Sequence, residues 1–198
     1  MCDHWGGTFT RLRRTDTRDC GSCHGGNDYL SRKPNFAGIA LAGVGGTAVT
    51  NITWDTIKRL RDTVKTKIVL KGILAHEDAK LALDAGIDAI IVSNHGGRVE
   101  DGVSAPIDVL PDIVAAAGRM PVLVDSGFRR GSDIVKALAI GAKAVCIGRP
   151  CLWGLGAFGQ PGVERVLAIL RAETRVAMQQ IGAASLSDLK PEMVKRVG

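Results

Sequence analysis

The chain has 198 residues, of which 45% are hydrophobic and only 4% aromatic, and its formal net charge is +6. A chain of this length and hydrophobic content can form one substantial hydrophobic core. Small aliphatic residues dominate, which favours α/β units over a β-sandwich. Basic residues form no long block and do not alternate with aromatics, which argues against a nucleic-acid partner. No apolar run reaches the roughly 18 residues of a membrane span. The first residues lack an apolar leader, so we expect a cytoplasmic protein whose five cysteines form no disulfide framework.

Residues 1–50 are rich in Gly, Arg, Asp and Thr and show little periodicity. We interpret them as a loop-rich segment before a folded domain at 51–198. Within the segment, Cys20-Gly21-Ser22-Cys23-His24 matches the Cys-x-x-Cys-His pattern of covalent haem attachment. A small cytochrome-like carrier is therefore an alternative. The simpler interpretation is a loop with two cysteines, because haem attachment normally requires export and a zinc site usually needs four ligands. No metal site is predicted.

A regular alternation of helices and strands begins at Thr53, which can cap a helix whose apolar residues recur through Val64. Short apolar runs then predict four buried strands. The predicted strands span 68–70, 89–92, 121–124 and 144–147, with helices between them near 75–85, 107–117 and 132–140. Ser132 is expected to cap the last of these helices, and Gly86 and Gly141 to end two of them. A long helix carrying Val163 to Ile181 follows.

The repeated βα pattern predicts a parallel sheet. Residues 85–92 resemble residues 140–147, since each stretch has a helix end, a glycine and an apolar strand. Polar residues close all four strands at their carboxyl ends, as in the active sites of (β/α)8 barrels, whereas an open sheet concentrates ligand residues at one switch point. A full barrel takes about 250 residues. We therefore predict an α/β fold that is the C-terminal half of a TIM barrel, strands 5–8 with their helices.

The sequence Ser93-Asn94-His95-Gly96-Gly97-Arg98 follows the second predicted strand and carries the strongest sign of chemistry. The histidine can move a proton near neutral pH, and the arginine can bind a carboxylate or phosphate through two parallel hydrogen bonds. The glycines allow the backbone to approach a flat ligand. The pattern predicts an enzyme site with an acid–base group beside an anion contact.

Four strand-end segments together resemble the FMN-dependent α-hydroxy-acid dehydrogenases and oxidases, the group of glycolate oxidase and lactate oxidase. The segments are Val69-Leu70-Lys71-Gly72, Ser93 to Arg98, Asp125-Ser126-Gly127-Phe128-Arg129-Arg130-Gly131 and Ile147-Gly148-Arg149-Pro150. The resemblance runs from about Asn51 to Val194. It implies an FMN cofactor and the oxidation of a small L-2-hydroxy acid, of the lactate, glycolate or mandelate class, to the 2-oxo acid.

The resemblance implies a role for each residue near the reacting atoms. His95 is the base that takes the substrate's proton, and Arg98 binds the substrate carboxylate. Lys71 lies near the N1 and O2 edge of the flavin, where a cation stabilises the negative charge of the reduced ring. Ser93 forms a hydrogen bond with that ring.

The remaining implied residues hold the ribityl chain and phosphate of FMN. They are Asp125, Ser126, Gly127 and Arg129, with Gly148 and Arg149 completing the phosphate site. Arg130 is expected to face solvent. The family usually has Asp-Gly-Gly at 125–127, so Ser126 is a departure.

The first barrel half, which in the family supplies a tyrosine and an acid that orients the histidine, has no matching motif in the chain. Two alternatives follow: a truncated, non-catalytic remnant of such an enzyme, or another FMN- or phosphate-binding barrel. A half barrel also leaves two sheet edges unpaired. We therefore expect a homo-oligomer or a requirement for the missing half.

Overall fold

The computed structural model describes residues 52–98 and 102–196. Helices and strands alternate along the chain, as the apolar runs predict. The helices are α1 Trp54–Thr63, α2 His76–Asp84, α3 Pro106–Ala117, α4 Gly131–Ile140 and α5 Arg149–Gln180. The strands are β1 Val69–Ile73, β2 Ala89–Val92, β3 Val122–Val124 and β4 Ala144–Val145, and 3-10 turns follow at Leu186–Asp188 and Pro191–Met193. The proposed domain boundary and the Cys20–His24 motif lie outside the described residues and stay predictions.

The four strands form one parallel sheet in the order β1-β2-β3-β4. Consecutive helices from α2 to α5 pack against one another. A doubly wound sheet would reverse its strand order at a switch point, whereas a barrel adds strands in sequence. The predicted α/β partial barrel is confirmed.

The two faces of this sheet are covered unequally. The helix side is close-packed: Ile90, Val92, Val122 and Val124 are at most 3% exposed and share one core with α3. The opposite face would point to the axis of a closed barrel. Within the described residues it is only partly covered, and Val69 at its β1 edge is 47% exposed.

The strand bounds correct two predictions. β1 begins one residue later than predicted, at Val69, and continues past Lys71 and Gly72, where the predicted strand ended, to Ile73; its Val69 is exposed rather than buried. β4 is two residues long instead of four, and Ala144 is exposed. Both strands are edges of the described sheet, so each has a single neighbour to pair with.

Most helix ends follow the sequence signals. Thr53 Oγ1 accepts a hydrogen bond from the Thr56 amide at 3.3 Å, as predicted for a cap. Gly86 and Gly141 end α2 and α4 with positive φ, also as predicted. The prediction that Ser132 caps α4 is wrong. The helix begins at Gly131, one residue before Ser132. The Asp133 side chain accepts hydrogen bonds from the amides of Arg129 and Arg130, which precede the helix.

Helix α5 is broken at Gly159, whose φ of 63° and ψ of −143° interrupt the helical path. Its two segments approach closely where Gly154 faces Gly162, since a Cβ on Gly154 would lie 2.5 Å from the Gly162 carbonyl oxygen. This short first segment carries Arg149 and Trp153 at the carboxyl end of the sheet. Among the described helices, none is long and apolar enough to cross a bilayer.

Candidate active site at the strand ends

The carboxyl ends of the strands bring several of the predicted site residues into one hydrogen-bonded network. Lys71 Nζ donates to Ser93 Oγ at 2.9 Å and pairs with Asp125 Oδ2 at 3.0 Å. Ser126 Oγ donates to Asp125 Oδ1 at 2.7 Å. Ser93 is 1% exposed, so this serine is a buried polar group whose hydroxyl is fully used.

The Asp125 carboxylate is the electrostatic centre of the network. Its burial opposes ionisation, but hydrogen bonds from Ser93, Ser126 and Lys71 outweigh this and hold the pKa of Asp125 below its ordinary 3.8. Burial and the negative charge of Asp125 together raise the pKa of the nearby Cys146 thiol. The site thus presents an ion pair, Lys71 with Asp125, beside a neutral thiol.

The lowered pKa of Asp125 makes the fold sensitive to acid. A carboxyl whose folded pKa lies below 3.8 contributes stability above that pH and loses it as pH falls through the folded value. We expect the unfolding free energy to decline in acid below 3.8, and Asp125→Asn to flatten that decline. Urea unfolding across a pH series measures both slopes. Asp62→Asn, at an exposed position of α1, is the control, and equal acid slopes for Asp125→Asn and wild type would contradict the assignment.

The loop after β2 holds His95 in an uncommon backbone conformation. Its φ of 57° is left-handed, and its amide donates to Ser93 Oγ at 3.1 Å. The imidazole lies against Gly72 of β1, where an added Cβ would be 3.0 Å from His95 Cε1. Gly72, which has no side chain, therefore leaves room for the ring against β1. His95 and Arg98 are both exposed, and no ion pair among the described residues involves His95.

Asn94 shapes this loop, and the sequence reasoning assigned it no role. Its Oδ1 accepts from the amides of Gly96 at 3.0 Å and Gly97 at 3.3 Å. This is the local turn that asparagine side chains favour. An asparagine two residues before a pair of glycines is the sequence pattern that could have predicted this turn.

The second part of the site is a set of cations and glycines around the β3 and β4 loops. Arg129 stacks its guanidinium over the Trp153 ring, 5.5 Å from the centroid. Arg149 Nη2 donates to the Gly96 carbonyl oxygen at 2.6 Å, which joins α5 to the histidine loop. Gly127 and Gly148 have open space where a Cβ would stand. No sequence pattern predicts the contact between Arg129 and Trp153.

Arg130 points away from this set. It is exposed, as predicted, and its Nη1 pairs with Glu173 Oε1 at 3.1 Å. The Gly131 amide also donates to Glu173 Oε2 at 2.8 Å, and this backbone hydrogen bond, with that of Arg130, lowers the pKa of Glu173. The hydrogen bonds and the ion pair of the described residues connect the predicted site residues Lys71, Ser93, His95, Asp125, Ser126 and Arg149, with Gly96 as a link. Arg98, Gly127, Arg129 and Gly148 lie outside that network.

Fold and site together define a partial α/β barrel with arginines, glycines and a Lys71–Asp125 ion pair at the carboxyl ends of its strands. A family model described as FMN-dependent dehydrogenase matches residues 12–196. An L-lactate oxidase of Nostoc sp. is 53% identical over 139 residues, 70% of this chain and 38% of that protein. A pre-mycofactocin synthase of Mycobacterium tuberculosis is 53% identical over 140 residues, 70% of this chain and 35% of that protein.

The solved structures agree. A soluble mutant of the membrane-associated (S)-mandelate dehydrogenase from Pseudomonas putida superposes with a TM-score of 0.70 at 47% identity, covering 72% of this chain and 41% of that one. The chain belongs to the FMN-dependent dehydrogenase family. It spans about two fifths of the length of the relatives that it matches.

FMN is the cofactor of this family, and the donor set of the described residues fits it. Lys71, Arg129 and Arg149 supply three cations for an anionic ligand. Gly127 and Gly148 have open space where a side chain would stand, which leaves their backbone accessible to a ligand. Arg149 would exchange its bond with the Gly96 carbonyl for a phosphate oxygen, which is the stronger, charge-assisted partner.

Proposed function

We propose that the chain takes part in the FMN-dependent oxidation of a small L-2-hydroxy acid to the 2-oxo acid. The observation that carries the proposal is His95, held in a left-handed turn with its imidazole against Gly72, the residue that follows Lys71 in β1. The exposed imidazole thus lies against the strand that carries Lys71, and Ser93 Oγ accepts hydrogen bonds from both the His95 amide and Lys71 Nζ. Two of the matched relatives have names that contain such acids, lactate and mandelate.

In this proposal Arg98 binds the carboxylate of the substrate, because a guanidinium matches both carboxylate oxygens at once. His95 accepts, at an imidazole nitrogen, the proton lost as the C2 carbon is oxidised. A positioned base of this kind contributes about 10²–10⁴-fold to the rate. The exposure of both side chains leaves them accessible to a small acid.

When bound, FMN supplies the acceptor for the two electrons. Lys71 holds its positive charge between Ser93 and Asp125, 2.9 and 3.0 Å from their oxygens. This restraint fixes the direction of the ammonium group. In the proposal it stabilises negative charge at the N1 and O2 edge of the ring.

Arg129 and Arg130 offer a matched test of the phosphate site. Arg129→Ala is expected to weaken FMN binding by about 10–100-fold, the value of a hydrogen bond to a charged group. Riboflavin, which lacks the phosphate, should bind the variant and the wild type alike. Arg130→Ala removes a neighbouring charge that pairs with Glu173 and should leave both affinities within about threefold. Flavin fluorescence titrations measure all six affinities; equal losses for FMN and riboflavin would reject Arg129 as a phosphate ligand.

The function itself is tested by anaerobic mixing of the FMN-loaded protein with L-lactate, glycolate and (S)-mandelate. We expect at least one to bleach the flavin. The full chain is assayed alone and after coexpression with the part of the Nostoc L-lactate oxidase outside the aligned region. Failure to bleach in both preparations, with FMN bound, would reject the proposal. It stays a prediction that the chain needs a second copy or a further barrel segment, and light scattering of the same preparations tests it. A cytoplasmic location also stays a prediction, and fractionation of the expressing cells tests it.

A further inference from the structure

We infer that Ser126 is a positioning residue that fixes the His95 loop to Asp125. The inference deepens the proposed function, and its value for catalysis rests on His95 being the base. Ser126 follows β3 directly after Asp125, on a different βα unit from His95. It was expected only to contact the cofactor.

The backbone at Ser126 is not one that a serine adopts readily. Its φ is 73°, and it shares this left-handed region with one other described non-glycine residue, His95. Glycine adopts such a conformation without steric cost. A side chain retained in this conformation therefore needs a compensating contact.

The compensating contacts belong to the hydroxyl group. Ser126 Oγ accepts from the Gly96 amide at 3.0 Å and donates to Asp125 Oδ1 at 2.7 Å. One oxygen thus joins two loops that are 30 residues apart in the chain. It also provides one of the hydrogen bonds that hold the carboxylate in its charged form.

The Gly96 amide belongs to the peptide unit that follows His95. The amide of His95 itself is held by Ser93 Oγ at 3.1 Å. The backbone of His95 is therefore fastened on both sides, by Ser93 before it and by Ser126 after it. Without the Ser126 hydroxyl, the Gly96 amide would keep only the local bond to Asn94.

Two variants separate the hydroxyl from the backbone. Ser126→Gly removes the hydroxyl and relaxes the left-handed conformation, whereas Ser126→Ala removes the hydroxyl and keeps the Cβ. Both should accelerate amide hydrogen exchange of Gly96 by about tenfold, the size of one lost hydrogen bond. Exchange at Ile90, in the middle of β2, should not change. Ser132→Ala, at an exposed serine of α4, is the matched control and should alter neither amide.

In the FMN-loaded protein, both Ser126 variants should lower kcat for 2-hydroxy-acid oxidation by about tenfold with KM unchanged, because the base is misplaced while Arg98 is intact. The inference would be overturned by unchanged hydrogen exchange at Gly96, or by exchange that rises equally at Gly96 and Ile90. A rise in KM with kcat unchanged would also overturn it. If no 2-hydroxy acid reduces the wild-type flavin, the proposed function fails. The exchange of Gly96 still decides whether Ser126 holds the loop.

Discussion

Replacing His95 by asparagine is expected to slow reduction of the bound flavin by a 2-hydroxy acid by about 10²–10⁴-fold, the contribution of a positioned base. Asparagine is the informative substitution because it tolerates the left-handed φ of 57° that position 95 requires. The turn is then preserved while the proton acceptor is lost. FMN affinity should stay within about threefold, since Lys71 and the arginines are untouched.

His76→Ala is the control for this prediction. His76 is the first residue of α2, takes no part in the described hydrogen-bonded network, and pairs only with the adjacent Glu77 among the described ion pairs. Its loss should leave the rate of flavin reduction within about twofold. Stopped-flow absorbance of the anaerobic, FMN-loaded proteins gives both rates. A His95→Asn protein that is reduced as fast as the wild type would eliminate His95 as the base.

The largest expected loss of stability comes from Gly131→Ala. Gly131 is the first residue of α4, and a Cβ there would overlap the backbone of α5 at Glu173 and Thr174. Backbone atoms cannot rotate away as a side chain can, so α4 must shift and the hydrogen bond from Gly131 to Glu173 is strained. Overpacking of this kind costs about 3 kcal/mol.

Gly156→Ala is the matched substitution in the same pair of helices. Nothing lies within 4 Å of a Cβ at Gly156, and alanine favours the helix by about 1 kcal/mol. The urea concentration at the unfolding midpoint should therefore fall for Gly131→Ala and rise for Gly156→Ala. If Gly131→Ala unfolds at the same urea concentration as the wild type, the close contact of α4 with α5 is not present in solution.

The sequence was sufficient to predict most of the secondary structure. The apolar runs 89–92 and 121–124 each end at a polar residue, and each contains a strand of the parallel sheet. Local rules also placed the Thr53 cap and the Gly86 and Gly141 helix ends. The Ser132 cap failed because α4 begins at Gly131, which places Ser132 inside the first turn, while the Asp133 side chain accepts from the Arg129 and Arg130 amides that precede the helix.

The strand ends that carry the site could be predicted because carboxyl ends of parallel strands converge on one edge. The contacts within the site could not. Arg149 reaches the Gly96 carbonyl across 53 residues, and Ser126 reaches the Gly96 amide across 30. Such pairings depend on strand register and loop conformation rather than on local composition. The Arg129–Trp153 stack is inaccessible to sequence reasoning for the same reason.

The central claim is that the strand ends of this chain carry the flavin chemistry of a 2-hydroxy-acid oxidoreductase. The most direct measurement is the visible flavin spectrum of the FMN-loaded protein, with the complementary barrel segment coexpressed, mixed anaerobically with L-lactate, D-lactate, glycolate and (S)-mandelate in turn. The account predicts bleaching by at least one L-configured or achiral acid, and no bleaching by D-lactate. Bound flavin that stays oxidised with L-lactate, glycolate and (S)-mandelate, or that is bleached by D-lactate, would contradict it.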